Sequence, residues 1–167
     1  AKDLLKQCCE IGPVGGIFHL AMVLRDSLFE NQTVSNFQQS AEQKYWGTRN
    51  LDLYSREFCM EHLKWFVVFS SITSGRGHKG QTCYGWANST MEQVVLKRRE
   101  QGLPGLAIEW GAIGDVGVII EHMGDNTTVV GGTLPQRMFS CLESLDVFLV
   151  WDHPVVSSFI KSVQIDT

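Results

Sequence analysis

Residues 63–71, LKWFVVFSS, most constrain what this chain can fold into. Trp65 to Phe69 are apolar in succession, with no polar residue at period two. A strand with one wet face alternates. An unbroken run of this length suits a strand covered on both faces, as in a parallel sheet between layers of helix. A polar loop with three glycines follows over 74–80, then a helix over 82–101 that Gly102-Leu103-Pro104-Gly105 terminates. The same alternation extends along the chain. Residues 2–10 read as an amphipathic helix stopped by Gly12-Pro13, and 14–22 as a buried strand interrupted only by His19. A polar connection follows, in which Thr33 or Ser35 can cap a short helix. Residues 40–57 read as a long helix, 106–110 as a third strand, 111–117 as a loop, 133–149 as a helix with Pro135 in its first turn, and 155–160 as a last strand. Strands alternating with helices predict an α/β doubly wound parallel sheet. At 167 residues there is room for one such domain and not for two.

Composition removes several classes of function. The net charge is −4 and basic residues are scattered, which argues against a nucleic-acid partner. The densest basic group, Lys97-Arg98-Arg99, reads as the solvated end of a helix. No apolar run reaches the roughly 18 residues of a membrane span. Five cysteines without a CxxC pair fit neither a zinc site nor a disulfide framework. They fit reduced thiols in the cytoplasm. Cys83 reads as a small packing residue, and Met22 and Met138 as core filler.

Ligands of such sheets bind beyond the carboxyl ends of the strands. Ser71 ends one strand, Gly111 to Asp115 follow another, and the residues after Phe18 end a third. Tyr84 lies thirteen residues after Ser71, and Asn88 four after Tyr84, on the same helix face. Ser71 can hold a carbonyl oxygen by a hydrogen bond, and Tyr84 can protonate that oxygen once hydride has reached its carbon. A phenol with a pKa of about 10 is a slow acid near neutrality and needs a cation to stabilise the phenolate. Lys44, 27 residues before Ser71 on a preceding helix, is the candidate. Each residue alone has a blander reading: serines end strands, Asn88 can bond to backbone, Lys44 can be solvated, and His19 can be a satisfied rim histidine. The joint spacing beside a glycine loop favours the functional one. Glu109 and Asp115 read as structural.

Five blocks, GPVGGIFHLAMVLRD, FVVFSSITSGRG, GQTCYGWANS, LPGLAIEWGAIGDVG and GTLPQRMFSCLESLDVFL, in this order, resemble the β-ketoacyl reductase domain of animal type I fatty acid synthase, within the short-chain dehydrogenase superfamily. Polyketide synthase reductases share the framework. The resemblance implies a Rossmann-type fold and NADPH-dependent reduction of a 3-ketoacyl thioester, held on acyl carrier protein by phosphopantetheine, to the 3R-hydroxyacyl thioester. It implies a catalytic tetrad of Ser71, Tyr84, Asn88 and Lys44, with Lys44 on the nicotinamide ribose and Asn88 holding a water. Many stand-alone reductases of the superfamily have a lysine where Asn88 stands. His19, Ala21, Trp110, Gly111 and Ala112, with Lys44 and Tyr84, would line the cofactor pocket, and Leu24-Arg25-Asp26 would guide substrate entry. His19 replaces an expected asparagine, and one extra residue falls near 59–63. Neighbouring synthase domains and a homodimeric parent protein are also implied. The alternatives are a polyketide synthase reductase and a reductase-like domain that only braces its neighbours.

No G-x-G-x-x-G occurs in the chain, and GPVGG precedes a strand where a phosphate-binding turn follows one. The chain begins within a predicted helix. Residues 1–167 therefore read as the catalytic part of a reductase domain, without its N-terminal dinucleotide-binding strands and with one apolar sheet edge open. The isolated chain is expected to aggregate or to bind NADPH more weakly than micromolar. Micromolar binding in a fluorescence titration would refute this.

Overall fold

The continuous apolar strand lies inside a parallel sheet. The structure, a computed structural model, describes residues 1–116 and 127–162. Strands β1 (Gly16–His19), β2 (Trp65–Ser71), β3 (Leu106–Trp110) and β5 (Val155–Ser158) pair in that order, all parallel. Helices cover both faces, so β2 must be apolar on both. Ile17, Phe66, Val68 and Ala107 point to one side. There they meet Leu5 of α1 (Lys2–Ile11) and Met91 and Val95 of α5 (Thr82–Glu100), beside α3 (Gly47–Phe58). Val67, Leu106, Ile108, Trp110 and Val156 point to the other and pack on Cys141 and Phe148 of α6 (Met138–Phe148).

Three expected elements differ. The first strand is shorter than 14–22 and is half-exposed, with Phe18, Leu20 and Met22 all 40% exposed or more. It lies at the sheet edge, while α6 packs on β2, β3 and β5, and just past its end the Leu149 carbonyl accepts from the Trp65 indole (3.3 Å). Met22 is thus not core filler. The short capped helix and the long one are a single helical path. Thr33 caps α2 (Val34–Ala41), its Oγ1 accepting the Asn36 N–H at 3.2 Å, and one π turn over Glu42–Trp46 joins α2 to α3. Pro135 precedes α6 and lies outside it. Thr133–Leu134 form β4, paired antiparallel with β6 (Ile160–Lys161). The α6 N-terminus is capped from a distance, its Met138 N–H donating to the Asp115 carboxylate at 2.8 Å, while Arg137 pairs with the same group. Residue 117, the end of the expected loop, lies outside the described residues.

Arg98 is not at a solvated helix end. It is 1% exposed, its guanidinium 4.0 Å from the Phe66 ring centroid. It donates to Asp52 (2.5 Å), Ser55 Oγ (3.1 Å) and the Pro104 carbonyl (2.8 Å). The buried cation ties α5 to α3 and to the turn entering β3. Asp52→Ala, which strands this charge, is expected to cost about 3 kcal/mol in denaturant unfolding. Arg98→Met removes the charge and leaves Asp52 its partner Arg56; it is expected to cost less, and the reverse order would refute the assignment.

Candidate active site

The chain turns sharply where β2 ends. Ser71 Oγ accepts the Thr73 N–H at 3.3 Å, and the Ile72 N–H donates to the Trp110 carbonyl at 3.1 Å, tying this turn to the end of β3. A four-residue helix, α4 (Thr73–Arg76), follows, then the glycine loop. Helix α5 starts against this turn. A Cβ on Gly85 would lie 3.0 Å from the Thr73 carbonyl oxygen, so a residue without a side chain is needed for that approach. The close contact sets Tyr84 beside Ser71. Burial raises the Tyr84 pKa, while the side chains of Asn88 and Ser71 pull it down. Tyr84 therefore holds its proton at neutral pH.

Lys44 lies in the π turn. This wide turn turns its side chain inward, where it is 2% exposed. Such single π turns recur at functional sites. The Lys44 ammonium donates to the Phe69 carbonyl (3.0 Å), lies 3.8 Å from Met91 Sδ, and is 5.2 Å from the Tyr84 ring centroid. Burial lowers its pKa to about 8, with Glu92 pulling the other way. Asn88 is fully buried. Its Nδ2 donates to the Tyr84 carbonyl (2.9 Å), and its Oδ1 has no partner among the described residues.

A cavity of about 680 Å³ opens at these strand ends, within the range of small-ligand sites. Lys44, Ser71 and Tyr84 line its polar end. Trp110, Gly111 and Ala112 border it, as do Leu20, Met22, Ile113, Met138 and Leu145. Of the expected entry segment, Leu24 lines the cavity and Asp26 accepts from Gln81 (2.9 Å). The Ser27 N–H donates to the Gly80 carbonyl, joining this segment to the glycine loop.

His19 and Ala21 do not line the cavity. Phe18 and Leu20 do, and strand alternation points His19 the opposite way. Its Nε2 lies 3.1 Å from the Gln43 carbonyl of the π turn, and burial lowers its pKa. Gly47 leaves room for the imidazole, since a Cβ there would lie 3.0 Å from Nε2. His19 therefore braces the turn that carries Lys44. Glu109 and Asp115 take structural bonds, Glu109 to Ser74 and Ser157 and Asp115 to the start of α6. Cys83 packs inside, its thiol 2.8 Å from Gln32 Oε1. Glu92 escaped the sequence reading; its position two turns beyond Tyr84 on one helix face was the available signal.

The cavity suits the nicotinamide-ribose end of a dinucleotide. It has the buried Lys44 cation, a phenol, and on Trp110 an indole N–H without a partner among the described residues, beside apolar walls. For the pyrophosphate end, the sequence holds no G-x-G-x-x-G turn.

The profile of the family described as "KR domain" matches residues 1–115. The highly reducing polyketide synthase curS1 of Aspergillus terreus is 37% identical over 119 residues, 71% of this chain and 5% of that protein. The highly reducing polyketide synthase easB of Emericella nidulans is 32% identical over 149 residues, 89% of this chain and 6% of that protein. The chain thus spans about one-twentieth of these curated relatives. An A1-type ketoreductase structure superposes with a TM-score of 0.86 at 25% identity, over 96% of this chain and 33% of that one. The first ketoreductase of the tylosin polyketide synthase superposes at 0.82 and 22% identity, over 97% and 35%. With the fold shared across the described chain and the family profile covering residues 1–115, this chain belongs to the KR domain family of ketoreductases.

Proposed function

We propose that this domain reduces the ketone of a 3-ketoacyl thioester to the hydroxyl, with NADPH as reductant. The observation that carries the proposal is the convergence of Lys44, Ser71 and Tyr84 at the polar end of an otherwise apolar cavity. When bound, NADPH would supply hydride to the carbonyl carbon. The Ser71 hydroxyl donates to the carbonyl oxygen and holds it next to Tyr84. The Tyr84 phenol gives up its proton as the oxygen gains charge. The Lys44 ammonium, over the Tyr84 ring, stabilises the phenolate through a short, poorly solvated path. Asn88 does not line the cavity, but its buried Oδ1, without a partner among the described residues, is an acceptor for a water, which supports a relay restoring the proton to Tyr84.

The substrate class follows from the walls. An apolar cleft with a polar floor suits an acyl chain delivered on a flexible arm, hence phosphopantetheine on acyl carrier protein within a multidomain synthase. The relatives in the comparisons are polyketide synthases, which favours a growing polyketide as substrate. A fatty acyl chain is the second reading, favoured by the five sequence blocks. Products of the complete protein separate the two: a fully saturated acid supports the fatty acyl reading, and retained oxygen functions support the polyketide one. The cytoplasmic location and a homodimeric parent belong to the same proposal.

In the complete protein, Tyr84→Phe is expected to lower ketoreduction on the order of 100-fold or more. Unchanged rates would leave only a bracing role. Lys44 acts through its charged form, so kcat is expected to fall as pH rises through about 8, where the buried ammonium loses its proton. Lys44→Met should give a low rate lacking that alkaline limb. An alkaline limb unchanged in Lys44→Met would reject this role for Lys44.

A further inference from the structure

Two carboxyl groups meet beneath the Ser71 turn, and the mechanism above uses neither. Glu92 lies on α5, one turn beyond Asn88, and Glu109 precedes Trp110 on β3. Ser74 Oγ stands between them, 2.6 Å from Glu92 Oε1 and 2.8 Å from Glu109 Oε1. It also lies 2.9 Å from the carbonyl oxygen of Ser71. Ser70 Oγ contacts the same Glu92 oxygen, and Ser157 Oγ lies 2.5 Å from Glu109 Oε2. A Cβ on Gly75 would press within 3.3 Å of Glu109 Oε1, so the backbone closes the remaining side.

Each short oxygen–oxygen contact needs one proton between its atoms. Four such contacts join serine hydroxyls to the two carboxyls and a fifth joins Ser74 Oγ to the Ser71 carbonyl, whereas the three hydroxyls carry one proton each. At least one further proton has to come from a carboxyl group. Two ionised carboxylates around one hydroxyl would otherwise repel across it, the situation in which one of a pair keeps its proton. The charged groups facing Glu92 are Lys44 from the π turn and Glu109 from β3; β2 and α4 present serine hydroxyls to it, and β5 presents one to Glu109. Burial raises the Glu92 pKa, Ser70 and Ser74 oppose this, Glu109 adds to it and Lys44 opposes it.

We infer that Glu92 is a positioning residue that enters the fold as a neutral acid, sharing its proton through Ser74 with Glu109, and that this bridge sets the Ser71 turn against Tyr84. The inference rests on the ketoreductase reading above. The bridge joins β2, α4, α5, β3 and β5, so it fixes both strand ends that border the cavity relative to the helix bearing the phenol. An uncharged Glu92 also leaves the Lys44 ammonium without a carboxylate partner among the described residues, with the Tyr84 ring 5.2 Å away.

Ketoreduction by the complete protein tests this, with kcat and the KM for NADPH measured separately. Glu92→Gln keeps a donor and an acceptor without charge and is expected to retain kcat within about threefold. Glu92→Ala and Ser74→Ala break the bridge and are expected to lower kcat about tenfold or more, with the KM for NADPH changed less than about twofold. Glu92→Gln falling as far as Glu92→Ala would overturn the inference, because the site would then need the negative charge. If Glu92→Ala does not fold, Ser74→Ala decides: native kcat there overturns the inference as well. Tyr84→Phe is measured alongside. Full activity in that variant would sink the ketoreductase reading itself, whereas an inactive Tyr84→Phe together with an unrescued Glu92→Gln would sink only the role of Glu92.

Discussion

A single buried ammonium organises the site. Lys44 is held out of water, and such a charge survives where carbonyl and π groups receive it. Much of the local structure around the cavity follows from that requirement. The π turn moves Lys44 off the solvent face of its helix. His19 and Gly47 brace that turn, the Phe69 carbonyl accepts from the ammonium, and the Tyr84 ring faces it. Desolvation brings the lysine pKa down to about 8, within reach of a proton relay, and raises that of the tyrosine. One act of burial thus acts on both groups, and under the proposed mechanism it leaves an acid that keeps its proton until the carbonyl oxygen needs it beside a cation that stabilises the phenolate.

The second constraint is mechanical. Hydride chemistry needs a carbonyl oxygen placed to within a fraction of an ångström, yet Ser71 stands at a strand end, where the backbone is free to turn. The fold restrains it three times. Ile72 bonds to the Trp110 carbonyl, Gly85 lets α5 close on Thr73, and the Glu92–Ser74–Glu109 bridge pins the turn to the helix and to two strands. Away from these polar links the cavity is bordered largely by aliphatic and aromatic side chains. The division suits a ligand with one reactive polar group on a greasy chain.

Much of this was legible in the residues. The apolar run of β2, the glycine loop and the helix beginning near Tyr84 predicted a sheet with a site at its carboxyl edge, because strand burial and helix capping are local properties. The spacing of Ser71, Tyr84 and Asn88 was readable for the same reason, since one turn and one helix connect them. Reading failed where partners come from afar. Arg98 looked like a solvated helix end until Asp52 and Phe66, both distant in the chain, closed over it. Pro135 looked like a helix start because pairing of Thr133–Leu134 with Ile160–Lys161 leaves no mark on the local pattern. His19 was assigned to the ligand pocket, and strand alternation at a half-covered edge turned it to the opposite face.

Residue order alone gave the layered α/β architecture and the spacing of Ser71, Tyr84 and Asn88 along one turn and helix, because periodicity and spacing act within a few residues, and its five blocks carried the resemblance to a reductase family. Folding in three dimensions decided whether Lys44 is a solvated surface group or a buried cation beside a phenol, which two carboxyls meet at one serine hydroxyl, and which face of β1 borders the cavity. Those outcomes depend on charges and walls contributed by segments tens of residues apart, and their energies exist only once the segments are packed.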